Sequence, residues 1–240
     1  KGVPHLSLKM FEWRYNTENL SLMPALLNTI LMTLLSLLIA VPLGVFAAIY
    51  LVEYAHRGSR LVRVIRMNAE TLAGIPSIVY GLFGMLFFVT ALKLGFSMLS
   101  GALTLSIMIL PVILRTSEEA LMSVPDSFRE GSFGLGAGRL RTVFRVVLPD
   151  AVPGILAGVI LGVGRIVGET AALIYTAGTA SDTVSGIMDS ARTLSVHMYA
   201  LSQEGLYINQ TYATAVVLLL IVVCINALSA SLARKFSRKR

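Results

Sequence analysis

The chain has 240 residues, of which 55% are hydrophobic and only 14% charged, and it carries a net charge of +7. A soluble domain has about a quarter of its residues charged. This composition, with a mean hydropathy of +0.77, excludes an ordinary soluble fold and points to a membrane protein. The basic excess gathers at the ends of apolar runs, without the aromatic interleaving of a nucleic-acid surface, and reads as membrane topology.

In chain order, residues 1–22 form an N-terminal segment that opens on Lys1 rather than Met and shows no signal-peptide pattern. Five apolar runs follow: about Met23 to Tyr54, Ala69 to Leu92, Gly101 to Ser117, Ala151 to Gly178 and Tyr212 to Ala233. A spanning helix needs about 20 residues, so the fold class expected is all-α, a polytopic bundle with five spans across 23–234 and a basic tail, 235–240. Glu53, closing the first run beside Tyr54, reads as an anchor at the membrane surface. The second run opens with "LAGIPSIVYG", where Gly74 and Pro76 break or kink the helix. Ser77 and Tyr80 then either offer hydroxyls to a path or simply pack. The third run is short and interrupted by Pro111, which membrane helices tolerate when neighbours re-satisfy the freed carbonyl. Glu118 and Glu119 beyond it read as a solvated face. Cys224, in the last run, reads as a small packed residue. His5, His56 and His197 have no metal-ligand spacing.

The linkers set the orientation. Arg57, Arg60, Arg63 and Arg66 follow the first run. Arg115 stands at the inner end of the third, Arg129, Arg139, Arg141 and Arg145 follow it, and Arg234, Lys235, Arg238, Lys239 and Arg240 close the chain at the end of the fifth. Alternating spans put all of them on one side, which the positive-inside rule makes cytoplasmic. Lys1, Lys9, Arg14, Lys93 and Arg192 fall on the other. An external N-terminus without a signal is awkward, and a further span ahead of Lys1, six in the parent protein, would resolve it. Residues 179–210 are then external. Within them "TLSVHMYAL" places Leu194, Met198 and Leu201 at helical spacing, an amphipathic helix on the membrane surface or against a partner.

Residues 123–149 lie outside the bilayer. Ser127 is a cap for a short helix, "FREGSFGL", that stops at Gly134, Gly136 and Gly138. A second helix, "RLRTVFRVVLP", carries Leu140, Val143, Phe144 and Val147 on one apolar face and ends at Pro149. An apolar ridge outside the membrane needs a protein groove.

This segment resembles the E-A-A loop of ABC importer permeases. Glu130, Gly131 and Ser132 stand at the E-A-A positions, Gly136 follows after three residues, and Val146 with Leu148-Pro149 after nine more. Gly131-Ser132 replaces Ala-Ala, which keeps the residues small and weakens helix propensity. "VPLGVFAAIYLVEYA", "LAGIPSIVYGLFG", "LPVILRTSEEALMSVP" and "GRIVGETAALIYTAG" resemble the permeases of phosphate importers, the PstA type or its PstC paralogue, within the MetI-like family; "GETA" favours the PstA side. The resemblance implies that Glu130 to Pro149 docks on a cytoplasmic ATPase. It also implies two such ATP-binding subunits, a second related permease as heterodimer partner, and an external phosphate-binding protein that docks on 179–210.

The sequence also places Arg165 and Glu169 deep in the fourth run. An arginine at the centre of a span costs about 2.5–3.5 kcal/mol on insertion scales, so it faces the bundle interior or a wet crevice. Four residues apart on a helix, Arg165 and Glu169 share a face and can touch. Gly154, Gly158 and Gly162 recur every four residues, and the stripe calls for another helix against it. Arg115 is a second arginine, near the inner end of the third run. A guanidinium suits phosphate oxygens, and the resemblance associates both arginine positions with phosphate passage. The alternative is a structural Arg165–Glu169 pair that locks two helices. No G-x-x-x-x-G-K-[ST] stretch is present, so the chain is not expected to hydrolyse ATP, and no cofactor or metal is expected. A permease for sulfate, molybdate or phosphonate, or a stand-alone channel or carrier, is the competing reading.

Overall fold

The computed structural model describes residues 21–56, 58–205 and 207–237. Residues 1–20 of the expected N-terminal segment, Arg57 and Arg238 to Arg240 lie outside them. Every element among the described residues is helical. α1 is Met23–Tyr54, α2 Arg60–Ala73, α3 Ser77–Ala91, α4 Met98–Met122, α5 Asp126–Gly134, α6 Arg139–Val167, α7 Ala171–Ile174, α8 Leu194–Glu204 and α9 Ile208–Ser237. Among the described residues, four stretches, Met23–Tyr54, Met98–Met122, Arg139–Val167 and Ile208–Ala227, are long and apolar enough to cross a membrane; α2 and α3 make a fifth if that bent pair counts as one span.

The boundaries differ from the sequence expectation in instructive ways. The basic linker is helical from Arg60 onward, because Val62, Ile65 and Ala69 recur at helical spacing and pack into a core. The break falls at Gly74–Pro76, as expected: Pro76 is extended and caps α3. Pro111 does not interrupt α4. Pro149 does not end a helix either, since α6 runs through it to Val167. Just ahead, Val143–Val147 widens into a π-turn in which the Leu148 N–H bonds the Val143 carbonyl. That extra residue moves the preceding carbonyls away from the proline ring, so the helix continues. Ser127 is no cap, because α5 begins one residue earlier, after Pro125.

The chain divides into two compact units. The first comprises Lys1–Ile39, Ile75–Met108 and Val163–Ile225, the second Ala40–Gly74, Ile109–Gly162 and Asn226–Arg240. The core of the second unit joins Ala48 and Leu51 of α1, Leu114, Leu121 and Val124 around the end of α4, and Val143, Val147 and Ile155 of α6. A Cβ at Gly154 would lie 2.7 Å from that of Ala120, and one at Gly158 would overlap the Thr116 hydroxyl. The small-residue stripe therefore packs against the chain's own α4 and argues for no second chain.

In the first unit, α3 meets α7 so closely that a Cβ on Gly81 would be 2.8 Å from the Ala172 Cα. Buried hydroxyls there bond backbone carbonyls one turn back: Thr29 to Ala25, Thr33 to Thr29, Thr104 to Ser100, Ser106 to Ala102. The fully buried Asn28 donates to the Asp182 and Arg192 carbonyls and accepts from the Val184 N–H, pinning the loop before α8. α8 buries one side in the first unit and exposes the other at Tyr199, Ser202 and Gln203. Leu194, Ser195, Val196, His197 and Leu201 are all buried, and Ser195 Oγ donates to the Glu169 carbonyl at 2.6 Å. Burial, then the Arg192 guanidinium beside it, pushes the His197 pKa down to about 4. Cys224 is exposed rather than packed.

Candidate functional site

Arg165 lies in the last turn of α6, half-buried. α6 ends at Val167, so Glu169 leaves the helix and the expected four-residue relation between the two is broken. The Glu169 carboxylate is buried and turns to α7, accepting from the Ala172 N–H at 3.0 Å. It caps a helix and forms no ion pair with Arg165.

Among the described residues Arg165 makes no ion pair. The charge bears electrostatically on the buried Tyr80 of α3. Ser77 stands one turn earlier on α3, half-buried. In the first unit, then, Arg165 and Tyr80 are close enough to interact electrostatically, while Ser77 is linked to them only by its place one turn earlier on α3. Among the described residues no group of His, Cys, Asp and Glu is placed to hold a metal.

Arg115 belongs to the second unit and has partners. It lies 3.3 Å from Glu119 and 3.7 Å from Glu70, all three well exposed. Glu118 is not solvated: it is buried and accepts from Arg66 Nε at 2.7 Å. These residues line an open cavity of about 420 Å³ together with Pro111, Thr116 and Leu161. Three carboxylates against two guanidinium groups make it no ready anion site.

The expected docking segment also lies in the second unit. Gly136, with φ of +81°, closes α5: its N–H bonds the Phe133 carbonyl and the Ala137 N–H bonds that of Ser132. This paired closure needs a left-handed residue, which glycine supplies without strain. Glu130 and Gly131 are exposed, and Ser132 Oγ lies 2.8 Å from Thr142 Oγ1. Val146 and Leu148 are half-buried and Pro149 exposed. The expected apolar face divides. Val143 and Val147 are fully buried in the core, whereas Leu140 is 65% and Phe144 44% exposed. Phe128, Phe133 and Leu135 of the α5 turn are exposed too, so an apolar surface remains open around α5 and the start of α6.

Residues 40–240 match the family model described as "Binding-protein-dependent transport system inner membrane component". The chain belongs to this family. It is 37% identical over 75% of its length to the probable ABC transporter permease protein YqgI of Bacillus subtilis, covering 66% of that protein. It is 35% identical over 90% of its length to the phosphate transport system permease protein PstA 1 of Mycobacterium tuberculosis, covering 71% of it. The chain therefore spans about two thirds of the length of these relatives. Its fold matches a chain of the inward-facing MetNI methionine ABC transporter with a TM-score of 0.65 at 21% identity, covering 87% of this chain and 91% of that one.

Within this permease the sequence reading missed one cluster. Glu53 is not a surface anchor; it is buried at 7% exposure and bridges Arg129 of α5, with Nη2 to Oε1 at 2.7 Å. The signal for it was faint: a lone acid closing an apolar run, and an arginine immediately before the Glu130 motif.

Proposed function

We propose that this permease is the membrane subunit of an ATP-driven phosphate importer. The observation that carries the reading is its 35% identity over 90% of the chain to a protein named as a phosphate transport permease. Arg165 supports it physically, as a guanidinium set in a span without a carboxylate partner. Such a charge suits an anion with one to two negative charges, bound through oxygens and then released. Tyr80 and Ser77 lie on the same path, and Glu169 shapes the turn that presents Arg165. Arg115, already shared between two carboxylates, is a weaker second station.

ATP hydrolysis belongs to separate subunits, two of which dock on Glu130, Gly131, Ser132, Gly136, Val146, Leu148 and Pro149. The open apolar surface of Phe128, Phe133, Leu135 and Leu140 supports that docking. A second related permease completes the path, because one chain of four or five spans encloses no gated passage. Residues 56–66, 118–149 and the C-terminus are cytoplasmic, and 179–210 faces the external phosphate-binding protein. The test is radiolabelled uptake in a host lacking this permease. Loss of phosphate uptake, restored by the intact gene, supports the reading. Intact phosphate uptake with loss of sulfate, molybdate or phosphonate uptake moves the substrate to that oxyanion.

A further inference from the structure

We infer that Arg129 is the positioning residue of the docking segment, the clamp that fixes α5 in the orientation its partner meets. The inference rests on the coupling reading above and adds what makes that segment rigid. α5 is nine residues long and buries none of its residues. Phe128 and Phe133 are 50% and 46% exposed. Short helices are marginal in water and normally depend on an apolar face for their hold on the protein, and α5 has no such face turned inward.

One side chain on it does turn inward. Arg129 has 13% of its side chain exposed, and its three nitrogens reach three separate pieces of the second unit. Nη2 donates to Glu53 Oε1 at 2.7 Å, and Nε to the same carboxylate at 3.1 and 3.4 Å. Glu53 sits on the π-helical last turn of α1. Nη2 also donates to the Leu121 carbonyl at 2.9 Å, at the end of α4. Nη1 donates to the Val124 carbonyl at 2.7 Å and to Asp126 Oδ1 at 3.2 Å. One guanidinium ties α5 to α1, to α4 and to the link between α4 and α5.

Only an arginine has enough donors in a rigid fork to serve all of these acceptors, and a lysine would hold one or two of them as a point charge. A forked, charge-assisted joint has a narrow geometric optimum. Displacement of α5 is therefore handed to the ends of α1 and α4 instead of being lost in an apolar slip plane. The Ser132–Thr142 hydroxyl contact closes the other side of α5 onto α6. Arg139, 5.3 Å above the Tyr54 ring, braces the same corner.

The experiment uses the full-length permease reconstituted with its partner subunits. Cys224→Ser removes the native thiol, and a spin label is attached at Ser127→Cys on exposed α5. Glu53→Gln is expected to raise label mobility roughly threefold or more. Replacing both partners of a buried pair with apolar groups of similar size often preserves stability. The double variant Glu53→Leu/Arg129→Met is therefore expected to assemble at the wild-type level while its label stays mobile. Should these variants assemble poorly, Arg129→Lys keeps the charge, loses the fork, and is expected to show the same mobility. A label as immobile as the wild type in an assembled variant overturns the clamp. A mobile label with substrate-stimulated ATP hydrolysis and uptake both unchanged upholds the clamp and removes the docking reading on which it rests.

Discussion

The two units answer the same physical demand differently. Both place polar groups among apolar helices, where an unsatisfied donor or charge is expensive. The second unit uses ion pairs: Arg66 with Glu118, Arg115 with Glu70 and Glu119, Arg129 with Glu53 and Asp126. The first uses hydroxyls and an amide turned onto backbone carbonyls, at Thr29, Thr33, Thr104, Ser106 and Asn28. Hydroxyl bonds of this kind add no net charge, whereas ion pairs lock elements in register. Arg165 fits neither scheme. It stands in the hydroxyl-rich unit, carries a full charge, and has no carboxylate beside it. What the contrast separates is an arginine tied to several helices, Arg129, from one in the hydroxyl-rich unit that makes no ion pair, Arg165. Arg129, fully engaged, holds structure, and Arg165, which makes no ion pair among the described residues, is the arginine we propose for the anion.

Three substitutions sharpen or break that contrast. The largest expected effect is on framework: Arg129→Ala leaves Glu53 buried and unpaired and should lower stability by about 3–5 kcal/mol, read as a lower unfolding midpoint of the purified permease. A variant that melts like the wild type would place Arg129 outside the framework. Next is His197, whose folded pKa, about 4, lies below the ordinary histidine value of about 6.5. Its unfolded form binds a proton first, so stability falls as pH drops through about 6.5 and the loss is complete below about 4, roughly 3 kcal/mol in all. His197→Gln should flatten that part of the pH–stability curve; an unchanged slope would mean that His197 is not the group responsible. The smallest effect is expected at Arg115. Exposed pairs contribute about 0–1 kcal/mol, so Arg115→Gln should leave stability nearly unchanged and reduce uptake far less than the same change at Arg165. Equal losses at both arginines would end the ranking of Arg165 above Arg115.

Much of the fold could be read from the amino acids, because spans announce themselves as long apolar runs. α1, α4, α6 and α9 all fall on expected runs, and Gly74–Pro76 breaks the second run where a proline must. What could not be read depended on distant partners. Glu53 and Arg129 are 76 residues apart, so neither reveals the other. The spacing of Leu194, Met198 and Leu201 marked α8 as amphipathic, but not that Ser195 and His197 are buried as well, with Ser195 satisfied from the Glu169 carbonyl. The Arg165–Glu169 pair failed for a local reason: spacing of four implies contact only while the helix lasts, and it ends at Val167. The glycine stripe was real, but its partner was α4 of the same chain. In residues 130–149, the turn at Gly136 was legible. The π-turn that carries α6 past Pro149 was not, because nothing in local propensity distinguishes it from a stop.

The most direct measurement of the central claim is phosphate uptake by Arg165→Gln in the assembled transporter, with Glu169→Gln and the double variant beside it. With no ion pair to break, Arg165→Gln should assemble normally and keep part of its stimulated ATP hydrolysis. Its uptake should fall about a hundredfold, equivalent to roughly 2.7 kcal/mol, and the double variant should stay as low. Wild-type uptake in Arg165→Gln, or its recovery in the double variant, would contradict the account and return Arg165 to the framework.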